Sequence, residues 1–260
     1  MELIESGEIK IANIDTHEDI SKAYEEGADI ILSSTELEGA LPYPTKINFQ
    51  LDTPSDLNLF LESFESSKRS SINKRIREVD NLSEAKVIES ISLGEFEEWL
   101  IGYNNFIASL PHGNNNIPED WFNTNSSKHI GIFLFEKNTN KIIGGTLVKK
   151  FNDSSRLSMS YAWYRDDVRQ AGGSTRIVTE VIKYAIANEF KLVSFGQDSN
   201  LYGGHLPIGL MEFKKSWQTK PSITSNAEIQ YAMVNPNSTK KFCFYSGKTS
   251  EELLLQKYNV

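Results

Sequence analysis

The run Arg169-Gln170-Ala171-Gly172-Gly173-Ser174 has the residue types of an anion site: a permanent cation, two residues without side chains and a small hydroxyl. What stands on either side gives that composition its chemistry. Upstream, Leu157 to Tyr164 alternates and carries Tyr161, Trp163 and Tyr164, which predicts a strand. Downstream, Ile177, Val178, Val181, Ile182, Ala185 and Ile186 recur at helical spacing, so Thr175 to Asn188 reads as an amphipathic helix. A helix start presents backbone N–H groups that lack internal partners, and its dipole favours negative charge there. Gly172 and Gly173 remove the side chains that would hold a phosphate away from the backbone. The same turn also serves as a plain tight connection, so the surrounding elements decide its meaning.

Those elements follow a recognisable order. Thr16 to Asp19 looks like a capping box before a short helix ending near Gly27, with Asp29 to Leu32 as a strand after it. Glu38 to Pro44 reads as a loop, and Ser55 as the cap of a helix bearing Leu57, Phe60, Leu61 and Phe64. Lys68 to Arg77 then places five basic residues in ten, Lys68, Arg69, Lys74, Arg75 and Arg77. They form either a solvated helix face or a contact for an anionic ligand. Lys86 to Ser90 predicts a strand, Leu93 to Leu110 a helix, and Ile130 to Phe135 and Ile142 to Val148 two more strands. Asn114 to Asn116 with Pro118 marks a surface loop. Beyond the central strand and helix come a strand at Lys191 to Phe195 and a helix at Leu210 to Trp217. Strands at Ile229 to Val234 and Phe242 to Tyr245 complete the series.

Composition narrows the classes. The chain has 260 residues and a net charge of −8, which argues against general nucleic-acid binding. Cys243 is the single cysteine and lies in an apolar, strand-like run, so it reads as a buried thiol. His17, His112, His129 and His205 do not fall at metal-ligand spacing, and no metal is expected. The first residues lack a basic, then apolar leader, and no stretch approaches the ~20 apolar residues of a membrane span. The chain reads as cytoplasmic, with no membrane partner.

The element order, together with Arg169-x-x-Gly172-x-Ser174, resembles the GNAT acyltransferases and their pyrophosphate loop, Arg/Gln-x-x-Gly-x-Gly/Ala. Ser194-Phe195-Gly196, followed by Gly209 to Trp217 with Phe213 and Lys214, resembles the signature of the FemAB-like branch. Ser194 stands where that signature has aspartate, and Gln218 where it has glycine. The likeness spans roughly residues 55 to 235. It implies an α+β fold with a central, mostly antiparallel mixed sheet flanked by helices. Residues 1–85 would form a partial N-terminal α/β extension with the basic helix, an incomplete GNAT-like half. Residues 86–260 would form the acyltransferase domain.

The resemblance also implies roles. Acetyl-CoA, or another acyl-CoA, would rest its pyrophosphate on Gly172, Gly173 and Ser174, with Arg169, Gln170 and Ala171 completing the loop. Its pantetheine arm would lie along the strand edge at Tyr161, Ala162 and Trp163, although Tyr161 and Trp163 could equally line the acceptor pocket or fill the core. A small or carrier-linked amine would attack directly, which requires a proton acceptor but no covalent enzyme intermediate. Asp198, His205 and Tyr202 follow a central strand and are the candidate catalytic groups. Lys214, Trp121 and Arg75 are the candidate substrate contacts. Two other readings share the fold: transfer from aminoacyl-tRNA, which the basic helix would serve, and a non-catalytic binding module. Oligomeric state is not legible. Calorimetry is expected to show acetyl-CoA binding by the wild type and none by Gly172→Glu, whose carboxylate would occupy the phosphate seat; equal binding would overturn the loop assignment.

Overall fold

The computed structural model describes residues 1–110 and 116–260. The chain forms two compact units, one of Met1–Gln50 with Gln197–Val260 and one of Leu51–Gly196. Residues 51–85, read from sequence with the N-terminal extension, group with the second unit. Residues 197–260 group with the first. His112, Asn114 and Asn115 lie outside the described residues.

The first unit opens with β1 (Glu2–Ser6) and β2 (Ile9–Ile14), an antiparallel hairpin. Sequence reading misses β1 because the strand is exposed along nearly its whole length and shows no apolar face. Helix α1 (Asp19–Glu25) begins without a side-chain cap. The expected box at Thr16 does not form; its hydroxyl donates to the Asp19 carboxylate at 3.1 Å instead. Three strands follow, β3 (Ile30–Ser33), β4 (Leu41–Pro44) and β5 (Lys46–Asp52). Strand β4 replaces the expected loop. Its two prolines are tolerated because it lies at a sheet edge, where a missing N–H costs no ladder bond.

In the second unit, α2 (Leu57–Glu62) is capped by Asp56, not Ser55; the Asp56 carboxylate accepts the Leu59 N–H at 2.9 Å. The basic run lies in α3 (Ser66–Leu82), which leads into β6 (Ser83–Ile88). Ser92 and Glu95 form a complete capping box for α4 (Leu93–Ser109). Next come α5 (Trp121–Asn125), β7 (His129–Glu136), β8 (Ile142–Phe151) and β9 (Arg156–Tyr164). Two helices, α6 (Asp166–Ala171) and α7 (Gly173–Ala187), precede β10 (Leu192–Ser199). The strands lie in the order β10-β9-β8-β7-β6. All neighbours are antiparallel except the β9–β10 pair, so the sheet is the mostly antiparallel mixed one that the sequence implied.

Alternation decides which helix covers which face. Phe133, Phe135, Leu147 and Trp163 meet Phe96, Trp99 and Tyr103 of α4 in one aromatic cluster. Ile130, Ile132, Leu134 and Val148 point the other way, to the face on which α7 lays Ile177, Val178, Val181 and Ile182. Gly102 is what lets α4 sit close. A Cβ there would overlap the Trp163 ring, so the indole occupies the space a side chain would need.

The first unit is completed by α8 (Ile208–Lys215), β11 (Lys220–Ile223), β12 (Ile229–Val234), β13 (Phe242–Ser246) and β14 (Leu254–Tyr258). Its five-stranded sheet has the order β1-β2-β3-β12-β4, while β11 pairs with β5 and β13 with β14. Buried Asn200 ties distant segments together: its amide donates to the Pro44 carbonyl at 2.8 Å and the Tyr245 carbonyl at 2.6 Å, and its oxygen accepts the Tyr245 N–H at 2.8 Å. No helix among the described residues is long and apolar enough to cross a membrane. Gly102→Ala is expected to lower the unfolding free energy by about 1–3 kcal/mol, the usual cost of overpacking, as read from urea denaturation. An unchanged midpoint would show that Trp163 moves aside freely.

Candidate active site

Arg169, Gln170 and Ala171 belong to α6, so the stretch read as a loop is a helix–helix elbow. Gly172 is its pivot. It adopts the left-handed conformation (φ 101°, ψ 34°), closes α6 by donating its N–H to the Arg169 carbonyl and opens α7 by accepting from Arg176 N–H at 3.1 Å. Gly172 and Gly173 are buried and Ser174 is half-buried. Among the described residues no side chain caps the start of α7, which leaves there the positive dipole end on which an anion site depends.

Helix α3 brings Arg75 to this pivot. A Cβ on Gly172 would come within 2.7 Å of Arg75 Cβ and 2.8 Å of its Cγ, so the arginine stem fills the space beside the glycine. Arg75 has no carboxylate partner among the described residues. Burial and the charge of Arg75 push the Lys68 ammonium below its ordinary pKa. Arg169 is exposed and pairs with Asp166 at 3.0 Å. Two arginines thus flank the elbow from different helices. This packing also changes the value of Gly172→Glu as a probe: any side chain there is strained at that φ and displaces α3.

Strand β9 leads into the elbow. Its ladder with β10 covers only Arg156 to Ser158, and a bulge at Ser160 shifts its register with β8 between Leu147 and Val148. Ala162 and Tyr161 are half-buried, and the Tyr161 ring lies 5.8 Å from Tyr103 and 6.4 Å from Trp121. Trp163 fills the core against Gly102, and its buried indole N–H has no acceptor among the described residues. Trp121 also lies in this core, stacked on Phe96 at 5.0 Å.

The sequence reading weighed His129 only as a metal ligand. It is buried with its ring 4.8 Å from Trp121, and Nδ1 meets the Asn125 carbonyl at 2.8 Å. A carbonyl only accepts, so the proton of the neutral ring is on Nδ1. Burial lowers its pKa, the Asn125 contact opposes that, and the Lys149 and Lys128 charges add to the fall. Nothing in the sequence around His129 separates it from an ordinary core residue.

The first unit holds a second polar cluster, which unites three of the sequence candidates. Asp198 lies on β10, not in the loop expected to carry it. Lys214 Nζ donates to its two oxygens at 2.7 and 2.8 Å, and the Tyr202 hydroxyl donates to Oδ2 at 2.8 Å. All three residues are at least nine-tenths buried. Burial, and then the Asp198 charge, drives the Tyr202 phenol far above its ordinary pKa. Burial lowers the Lys214 pKa while Asp198 acts to raise it. The Phe49 ring lies 5.7 Å from the ammonium. Both Asp198 oxygens are occupied, so its evident work is to hold Lys214. His205 stands apart from this cluster; it is exposed, and its backbone N–H donates to Ser6 Oγ at 3.3 Å. Among the described residues no three His, Cys, Asp or Glu side chains gather as a metal site.

No protein-family profile matches the chain, and no curated protein sequence does. Solved structures do. FemX is 13% identical, with 83% of this chain and 75% of that chain covered and a TM-score of 0.53. L-PGS from Bacillus licheniformis is 11% identical, with 91% and 80% covered and a TM-score of 0.50. The chain shares its fold with these two structures.

Asp198→Asn strips Lys214 of its counter-charge and is expected to cost about 3–5 kcal/mol of stability near neutral pH. Burial then lowers the Lys214 pKa further below the unfolded value of 10.5. A lysine with a depressed folded pKa loses stability as pH falls through that value and retains it above the unfolded one. The deficit of the variant should therefore shrink as pH rises from about 7 toward about 10, measured by urea midpoints. A deficit constant with pH would show that the ammonium is not its source.

Proposed function

We propose that this chain is a cytoplasmic acyltransferase that moves an acyl group from acyl-CoA to an amine by direct attack. The observation that carries this reading is the sequence of β9, a strand released from β10 after Ser158, leading into a glycine elbow flanked by Arg75 and Arg169. A CoA arm adds to a strand edge through backbone hydrogen bonds, and its pyrophosphate suits a helix start with two guanidinium groups beside it. In this reading Gly172 to Ser174 seat the pyrophosphate and Arg75, first read as a substrate contact, joins Arg169 on the donor phosphates. Tyr161 and Ala162 border the thioester arm, and Trp163 fixes the strand from behind. Asp198 positions Lys214 and Tyr202, and Trp121 shapes the aromatic wall beside Tyr161.

The five basic residues of α3 favour a second reading, in which the donor is an aminoacyl-tRNA. Arg75 and Lys68, seven residues apart on one side of the helix, would then meet phosphates, with Arg69 beside them. The FemAB-like fold is compatible with either donor.

Calorimetric titration with acetyl-CoA separates the two. Arg75→Met keeps the stem against Gly172 and removes only the charge, so it is the cleaner probe. Wild type is expected to bind acetyl-CoA, and Arg75→Met and Arg169→Met to bind it roughly tenfold more weakly each, the effect of about 1.4 kcal/mol. No binding by the wild type at millimolar acetyl-CoA, with tRNA binding that falls steeply with salt, would replace the first reading by the second.

A further inference from the structure

The end of the sheet farthest along β9 from the elbow carries charge that no carboxylate among the described residues neutralises. Lys149 and Phe151 are two residues apart on β8 and share the face that bears α4, and Arg156 is the register partner of Phe151. Lys149 Nζ lies 4.6 Å and the Arg156 guanidinium carbon 4.3 Å from the centroid of the one Phe151 ring. All three residues are half-buried. Neither cation has a carboxylate partner among the described residues, and the buried Arg156 Nε has no hydrogen-bond acceptor there. Lys150 is the internal contrast. It faces the other side of the sheet and has its carboxylate, Glu89, at 3.6 Å. Next to the pair, on β7, stands His129, the register partner of Lys149, whose pKa is lowered by burial and by the charges of Lys149 and Lys128. In a chain of net charge −8, this is a built-in positive site.

We infer that Lys149 and Arg156, braced on Phe151, bind an oxyanion of the acceptor, so that the substrate is an amine that also carries a phosphate or carboxylate. The inference rests on the acyl-transfer reading. From Tyr164 back to Arg156 the strand spans about 26 Å, at roughly 3.3 Å per residue. A donor whose phosphates sit at the elbow runs back along the strand toward the Ser160 bulge. From Ser158 to Arg156 that edge of the strand is closed by β10, so the acceptor would lie over the face of the sheet that bears Lys149 and Phe151. Arg156 supplies a planar fork that fits carboxylate and phosphate oxygens, and Lys149 a point charge. The Phe151 ring offers both cations cation–π attraction but no acceptor, which leaves their charge for the ligand.

Two measurements test this, and they fail separately. Inorganic phosphate is titrated into the wild type, Arg156→Met and Lys150→Met and followed by amide NMR. Saturable shifts at Lys149 to Arg156, weakened at least tenfold in Arg156→Met and retained in Lys150→Met, are expected. Absence of those shifts in the wild type, or equal shifts in Arg156→Met, overturns the site. Shifts at Gly172 to Ser174 report the elbow independently. Turnover with acetyl-CoA is then compared for ethanolamine, O-phosphoethanolamine and β-alanine. At least a tenfold kcat/KM advantage for one anionic amine over ethanolamine, collapsing in Arg156→Met, is expected; the winner tells phosphate from carboxylate. An advantage of equal size in Arg156→Met overturns the assignment. Absence of any turnover counts against acyl transfer from CoA, and the phosphate titration still decides the site.

Discussion

Arg176 reaches from α7 to Asp80 of α3 at 2.6 Å and to Glu180 of its own helix, and the placement of the basic helix follows from that pairing. The guanidinium is mostly buried, which costs solvation, yet its two carboxylates more than restore the charge and leave its pKa raised. An arginine fork between two helices fixes both distance and rotation, which apolar contact alone does not. Val79 and Ile72 supply the apolar side of the same seam. With α3 held in this rotation, Arg75 falls at Gly172 and Lys68 beside it. The electrostatics of the elbow are therefore set a full helix turn or more away from it.

The Asp198–Lys214 pair poses a different balance. Two charges removed from water repay their desolvation only with good geometry and satisfied remaining valences. Both conditions hold: the lysine reaches both oxygens, Tyr202 adds a third donor, and the Phe49 ring faces the ammonium. A leucine and a methionine in these places would cost less to bury. What the ionic version supplies is direction, because β10, the Tyr202 segment and α8 agree in only one register. Tyr202 is in addition pinned by paired backbone bonds with Cys243 at 2.9 Å each way.

Much of the second unit was legible because its elements carry strong period. The strand before the elbow, α4 and α7 all show apolar residues at the spacing that burial on one face demands, and each stands where the sequence placed it. The glycines of the elbow were legible as a phosphate seat in type but not in shape. Asp166 to Ala171 is too short for a helical pattern to register, so α6 reads as turn. The first unit hid more. Strand β1 has no buried face, β4 is disguised by Pro42 and Pro44, and β5 and β11 are brought together from residues 46 and 220, which no local pattern reports. The Lys214 charge was visible, but its partner was not: a sequence lists Asp198 and Lys214 without saying that burial makes them one group. His129 and the Lys149–Arg156 pair became distinct only when the register set them on one face.

Asn200 gives the chain a timetable. Its three hydrogen bonds join residue 44, residue 200 and residue 245. During synthesis the first fifty residues emerge with a sheet that lacks β12, and an amide that will hold Pro44 is still far from being made. The segment from Leu51 to Gly196 meanwhile forms a compact unit of its own. It can close while the N-terminal strands wait, and long-range closure of this kind is the slow part of folding. The arrival of Tyr245 is what lets the first unit finish. A chain stopped short of β13 would thus carry a finished second unit beside an N-terminal half with exposed strands and no staple.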